Sequence, residues 1–167
     1  HPRTADTSFA HIEDEDPEVR GFALRVLRKL EDRRIVPHIT KMLTVPAIYK
    51  AAGTESAEAM LAAAAFKMPE GVRVAMMSLQ LTVNPPLEPI WLPDPELVKA
   101  SIQYLAVMNH KPSVSLIRSL LDAYRSDRVM APIAAAALEK LTGEKTELTF
   151  FSGPYKGNFF IDIRTGE

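Results

Sequence analysis

Four apolar stripes with helical spacing recur along this chain at intervals of 38, 40 and 33 residues, and nothing else in the sequence restricts the fold as much. The first stripe is Val19, Phe22, Ala23, Val26, Leu27 and Leu30. Its i, i+3, i+4, i+7 spacing puts all six on one side of an α-helix over 17–31. The second is Ala57, Met60, Leu61, Ala64, Ala65 and Met68, and the third is Leu97, Ala100, Ser101, Tyr104, Leu105 and Met108. Met130, Ile133, Ala134, Ala137, Leu138 and Leu141 make the fourth. Asp16-Pro17-Glu18 returns as Asp94-Pro95-Glu96. In both, the Asp can cap the helix and the Pro occupies the first position, where a missing N–H costs nothing. Repeats are therefore expected to start near residues 17, 55, 95 and 128, with Leu27, Leu61, Leu105 and Leu138 buried.

Between these A helices lie candidate B helices, each opened by proline. The first uses Ile35, Ile39, Met42 and Leu43 near Pro37; the second uses Val72, Ala75, Met76 and Leu79 after Pro69. The third, near Pro112, uses Val114, Ile117, Leu120, Leu121 and Tyr124. Residues 44–53 have room for an extra helical turn. The proline-rich stretch 84–93 reads as an extended loop that packs Trp91 on the helices. Gly143 is a natural helix stop. Beyond it, 147–151 and 158–163 are rich in β-branched and aromatic residues and flank a run of turn formers, which predicts a small C-terminal β-hairpin. The expected organisation is a flexible N-terminal segment over 1–11, a helical repeat region over 12–143 and a hairpin extension over 144–167. His1-Pro2 is no natural translation start, so the chain is expected to be part of something longer.

Residues 16–43 carry a signature of their own: Asp16, Pro17, Val19, Arg20, Ala23, Leu27, Leu30, Asp32, Val36 and Pro37. Here the chain resembles the HEAT-repeat family, specifically the short bacterial type found in phycobilisome-lyase-like proteins. The likeness is close in the first repeat and loose over the rest of 12–143. It implies an all-α fold, an α-solenoid of about four HEAT-like repeats, with A helices convex and B helices concave. It also implies protein binding, because a stack of repeats leaves a long curved surface free.

Chemistry is hard to find. Cysteine is absent, so thiolate metal sites and cysteine nucleophiles are excluded. The four histidines, His1, His11, His38 and His110, are not spaced to share a metal, and no His-Glu dipeptide of the HEAT-like di-iron hydroxylases is present. No nucleophile elbow or phosphate-cradling glycine loop appears. The expectation is no catalytic residue, no metal and no cofactor. A basic cluster, Arg20, Arg25, Arg28, Lys29, Arg33, Arg34 and Lys41, raises the possibility of nucleic acid. A net charge of −1 and 7% aromatic residues supply neither the field nor the stacking platforms for it. The longest apolar run is far short of the roughly 20 residues a membrane helix needs, so no membrane insertion is expected.

The outward positions of the B helices are polar and mostly basic: His38, Lys41, Arg73, Gln80, Arg118 and Arg125. They are the expected partner-binding residues, lining the concave face for a protein with an acidic surface. The reading is a non-enzymatic interaction or scaffold module. Its alternatives are a HEAT-like enzyme or chromophore lyase, and a nucleic-acid-binding solenoid.

Overall fold

The structure, a computed structural model, describes residues 2–87 and 92–148. Trp91, His1 and nearly all of the expected hairpin lie outside those residues. Among the described residues every regular element is helical. The helices are α1 (Pro2–Ala10), α2 (Pro17–Lys29), α3 (Val36–Met42), α4 (Val45–Lys50), α5 (Gly53–Ala65), α6 (Gly71–Val83), α7 (Pro95–Val107), α8 (Val114–Ala123) and α9 (Met130–Thr142). The expected A helices are α2, α5, α7 and α9; the B helices are α3, α6 and α8; α4 is the extra turn.

Local chemistry fixes these ends. Asp16 accepts the Glu18 N–H at 2.9 Å and Asp94 accepts the Glu96 N–H at 2.8 Å, so the repeated Asp-Pro-Glu is a repeated helix start. A repeated stop matches it. Glu31, Lys67 and Asn109 hold φ of 54°, 57° and 52° one residue past the C-caps of α2, α5 and α7. The next amide in each case reaches back to the last turn: Asp32 N–H to Leu27 O, Met68 N–H to Ala63 O, and His110 N–H to Leu105 O, at 2.9–3.0 Å. Gly143 ends α9 in the same left-handed conformation, with φ 82°. All four helices thus stop at a left-handed residue, although after Gly143 the Glu144 N–H turns to Thr142 Oγ1, and only the glycine advertises the stop in the sequence.

Packing follows chain order. α2 contacts α5, α5 contacts α7, and α7 contacts α9. α3 packs on α5, α6 on α7 and α8, and α8 on α9. One contiguous apolar core runs through all of them, including Leu27, Leu105 and Leu138 as expected. Three details differ from the sequence reading. Residues 2–10, expected to be flexible, form α1, which packs Ala5 and Phe9 against the core and meets α2. In α2 the buried face is Gly21, Ala23, Leu24 and Leu27, while Phe22 is 62% and Leu30 40% exposed. The face is turned by roughly one residue, ~100°, because Gly21 lets α2 come close to α5: a Cβ there would lie 3.0 Å from Thr54 Cγ2. Finally, Leu61 is only half-buried and Ala65 is exposed.

Tyr104 ties α7 to the start of α6. Its ring is fully buried, its hydroxyl donates to the Met68 carbonyl, and Gly71 leaves it space, since a Cβ at Gly71 would sit 2.8 Å from Tyr104 Cζ. Burial, reinforced by the nearby Glu70 carboxylate, pushes the phenol up to about 12. The neutral phenol is the form the fold favours, so its contribution is full below the unfolded pKa of about 10 and fades as pH rises towards 12. Tyr104→Phe is expected to cost about 1–2 kcal/mol at neutral pH by orphaning the Met68 carbonyl. It should also flatten the loss of stability between pH 10 and 12, read from urea unfolding at each pH.

Candidate functional site

Alanines gather along α5, α7 and α9, with Ala65 and Ala136 exposed and Ala64, Ala106 and Ala137 buried. Ala64 and Ala65 on α5, Ala106 on α7, and Ala136 and Ala137 on α9 border a cavity of about 650 Å³. Arg28 on α2 rises on one side of it, and Pro132, Ile133 and Lys140 on α9 rise on the other. A second recess of about 300 Å³ continues it towards the helix starts, bordered by Arg25, Thr54, Glu58, Glu96, Lys99 and Val129. Leu61, Gln103 and Ile133 border both, so the two form one trough. Its floor is α5 and α7, and its walls are α2 and α9. Long side chains on the outer helices and methyl groups on the inner ones make the hollow. The resemblance placed the hollow on the B helices; this one lies on the A helices.

Ion pairs hold the α2 wall in place. Arg25 Nε donates to Glu58 Oε1 at 2.8 Å, and Arg28 Nη2 donates to Glu58 Oε2 at 2.8 Å. One helical turn away, Arg20 grips Glu55 through both carboxylate oxygens, at 2.6 and 2.7 Å. Glu55 and Glu58 are both buried. Three arginines of the basic cluster, Arg20, Arg25 and Arg28, therefore face acids of α5. Lys67 and Lys140 are exposed at the far end, where Lys67 Nζ also donates to the Val107 carbonyl at 3.3 Å. Lys99 pairs with Glu96 at the near end.

The residues expected on the B helices are spread out. Lys41, Arg73, Gln80 and Arg118 are exposed on α3, α6 and α8, and Arg125 is exposed in the turn after α8. Arg118 donates to Glu144 at 3.2 Å and Arg125 to Asp122 at 3.0 Å; all four border a recess of about 240 Å³ beside the end of α9. His38 is half-buried, and its Nε2 is shielded without a hydrogen-bond partner among the described residues. Burial pushes its pKa below the ordinary histidine value, against the pull of Glu55 and Glu13. It is neutral at pH 7 and adds no charge to that surface. The structure thus groups Arg118 with Arg125, keeps His38 and Lys41 together on α3, and pairs two of the four cations with acids of the chain itself.

No group of three or more His, Cys, Asp or Glu among the described residues is placed to hold a metal ion. No helix among them is long and apolar enough to cross a membrane. No family model, curated protein or solved structure matches this chain.

The trough was missed in the sequence because an exposed alanine and a buried one look alike there. A usable signal existed: Ala64, Ala65, Ala106 and Ala136 fall at or beside the edge of the apolar stripe, where a solvated helix would carry Lys, Glu or Gln.

Proposed function

We propose that this chain is a non-enzymatic protein-interaction module, a short α-solenoid of HEAT-like repeats whose partner docks in the trough across α5, α7 and α9. The observation that carries this reading is the trough itself, about 650 Å³ with a methyl-rich floor and a basic rim. A contiguous apolar recess framed by polar groups is the usual mark of a docking surface. The repeat character is supported by the chain-order contacts of the A helices and by their shared left-handed stop. Nucleic acid is disfavoured because Arg20, Arg25 and Arg28 spend their donors on Glu55 and Glu58. Catalysis is disfavoured because the carboxylates bordering the trough, Glu58 and Glu96, already have carboxylate oxygens in ion pairs with cations of the chain. The competing surface remains the B-helix set of His38, Lys41, Arg73, Gln80, Arg118 and Arg125, which would suit an acidic protein face.

Site-specific photo-crosslinking in the parent cell separates the two surfaces. A photoreactive amino acid in place of Ala136, in the trough, should yield a covalent adduct with a protein; the same group in place of Gln80, on α6, should not. Adducts from the Gln80 position alone would move the site to the B helices, and an adduct with nucleic acid from Ala136 would refute the reading outright.

A further inference from the structure

Resting on that reading, we infer that the trough's occupant is a single amphipathic α-helix of a protein partner, apolar along one side and flanked by carboxylates. Its length comes from the floor. The trough runs from Thr54, Glu96 and Val129 at the starts of α5, α7 and α9 to Lys67, Val107 and Lys140 at their ends. Each of those helices has 13 residues, which at 1.5 Å per residue is about 20 Å. A partner helix of the same length, aligned with them, spans the trough from end to end.

The secondary structure of the occupant follows from hydrogen bonding. Along the larger recess the floor offers methyl and aliphatic groups with Gln103 as its polar side chain, while Thr54, Glu58, Glu96 and Lys99 stand at the near end. An extended segment laid there would press unpaired N–H and C=O groups against alanines, at the cost of an orphaned polar group each time. A helix satisfies its backbone internally, and small residues at Ala64, Ala106 and Ala136 allow the roughly 8 Å axis separation of close helix packing. Leu61 and Ile133, half-buried at mid-trough, are the larger groups its apolar stripe would straddle.

Charge selects its flanks. Arg25, Arg28, Lys67, Lys99 and Lys140 border the trough, against only Glu58 and Glu96. Both acids are already engaged, Glu58 by two arginines and Glu96 by Lys99. A chain of net charge −1 therefore concentrates positive charge around its apolar hollow. Carboxylates beside the partner's apolar stripe would meet that rim, raising the association rate and excluding basic helices.

The test is selection from a displayed library of 14-residue helices randomised on all faces, with the whole chain as bait. Enriched sequences should show apolar residues at i, i+3, i+4 and i+7 with Asp or Glu beside them. Ala136→Glu, at an exposed helical position, should weaken the selected peptides by about tenfold or more. Lys140→Glu should weaken them less, and should be compensated by a Lys-flanked version of the same peptide. Arg73→Glu, on α6, should change nothing. Helical content and unfolding midpoint are measured for every variant, so a folding defect in one leaves the other to decide. Selected binders that are proline-rich, extended, basic or indifferent to both trough variants would overturn the inference. A protein adduct from Ala136 would in that case still uphold the interaction module. Self-association of the chain that Ala136→Glu abolishes would assign the trough to a second copy and overturn the inference as well. Absence of both binders and adducts would remove the module reading together with its occupant.

Discussion

Leu105→Ala should destabilise the chain by about 3–5 kcal/mol, a third or more of the total stability of a typical domain. Leu105 is fully buried on α7, the helix that contacts α5, α6 and α9. Its site is fully closed to solvent, and α7 is packed against three helices, so relaxation into the cavity is restricted and the cost belongs at the upper end of the usual range. Leu61→Ala supplies the contrast. Leu61 occupies the equivalent stripe of α5, yet it is half-exposed at the trough, so its truncation should cost less than about 2 kcal/mol. Urea unfolding followed by circular dichroism measures both. Equal costs would mean that the A helices do not share one core through α7, and the assignment of the trough to their outer face would go with it.

The helix register was legible in the sequence because its signals are chemical and local. Asp-Pro-Glu caps a helix at both of its occurrences, and apolar residues every three or four positions specify a buried side. Hydropathy carries no information on size, and size decided the face of α2. Gly21 and Ala23 let α2 approach α5, which turned Leu24 inward and left Phe22 and Leu30 in solvent. Residues 1–11 were expected to be flexible, with the repeat region opening at residue 12. Residues 2–10 instead form α1, which packs against α2. Arg34 donates to Asp6 at 2.8 Å and lies 4.9 Å from the Phe9 ring centroid. Lys41, Arg73, Gln80, Arg118 and Arg125 are exposed while His38 is half-buried, and the pairing of Arg118 was invisible, since Glu144 lies beyond the helix that would have to fold back beside it. Glu55 and Glu58 were the largest omission. Arg20, Arg25 and Arg28 stand 30–35 residues before them on α2, and the packing of α2 on α5 brings them face to face.

That ladder leads to the second large effect. Arg20→Ala should cost about 3–5 kcal/mol, because it leaves the Glu55 carboxylate, with a side chain only 6% exposed, without its cation. The guanidinium does more than neutralise. Its Nη1 donates to the Asp14 and Glu15 carbonyls at 2.7 and 3.0 Å, so one side chain fastens the turn before α2 to the start of α5. Removing the acid instead is milder. In Glu55→Ala the orphaned Arg20, 24% exposed, keeps those two carbonyls and some water, and the expected loss is about 2–3 kcal/mol. Replacing both partners by apolar residues of similar length, Arg20→Met with Glu55→Leu, removes two buried charges together and should recover most of either loss. The three values must therefore fall in the order Arg20→Ala, Glu55→Ala, double variant, and the cycle closed by Arg20→Ala together with Glu55→Ala should show a coupling of about 2 kcal/mol or more. The exposed pair Arg118–Glu144 serves as the reference, where the same cycle should yield under about 1 kcal/mol. A coupling as small at Arg20–Glu55 as at the surface pair would show that water reaches the α2–α5 contact. The α2 wall of the trough would then be less firmly held than its ion pairs imply.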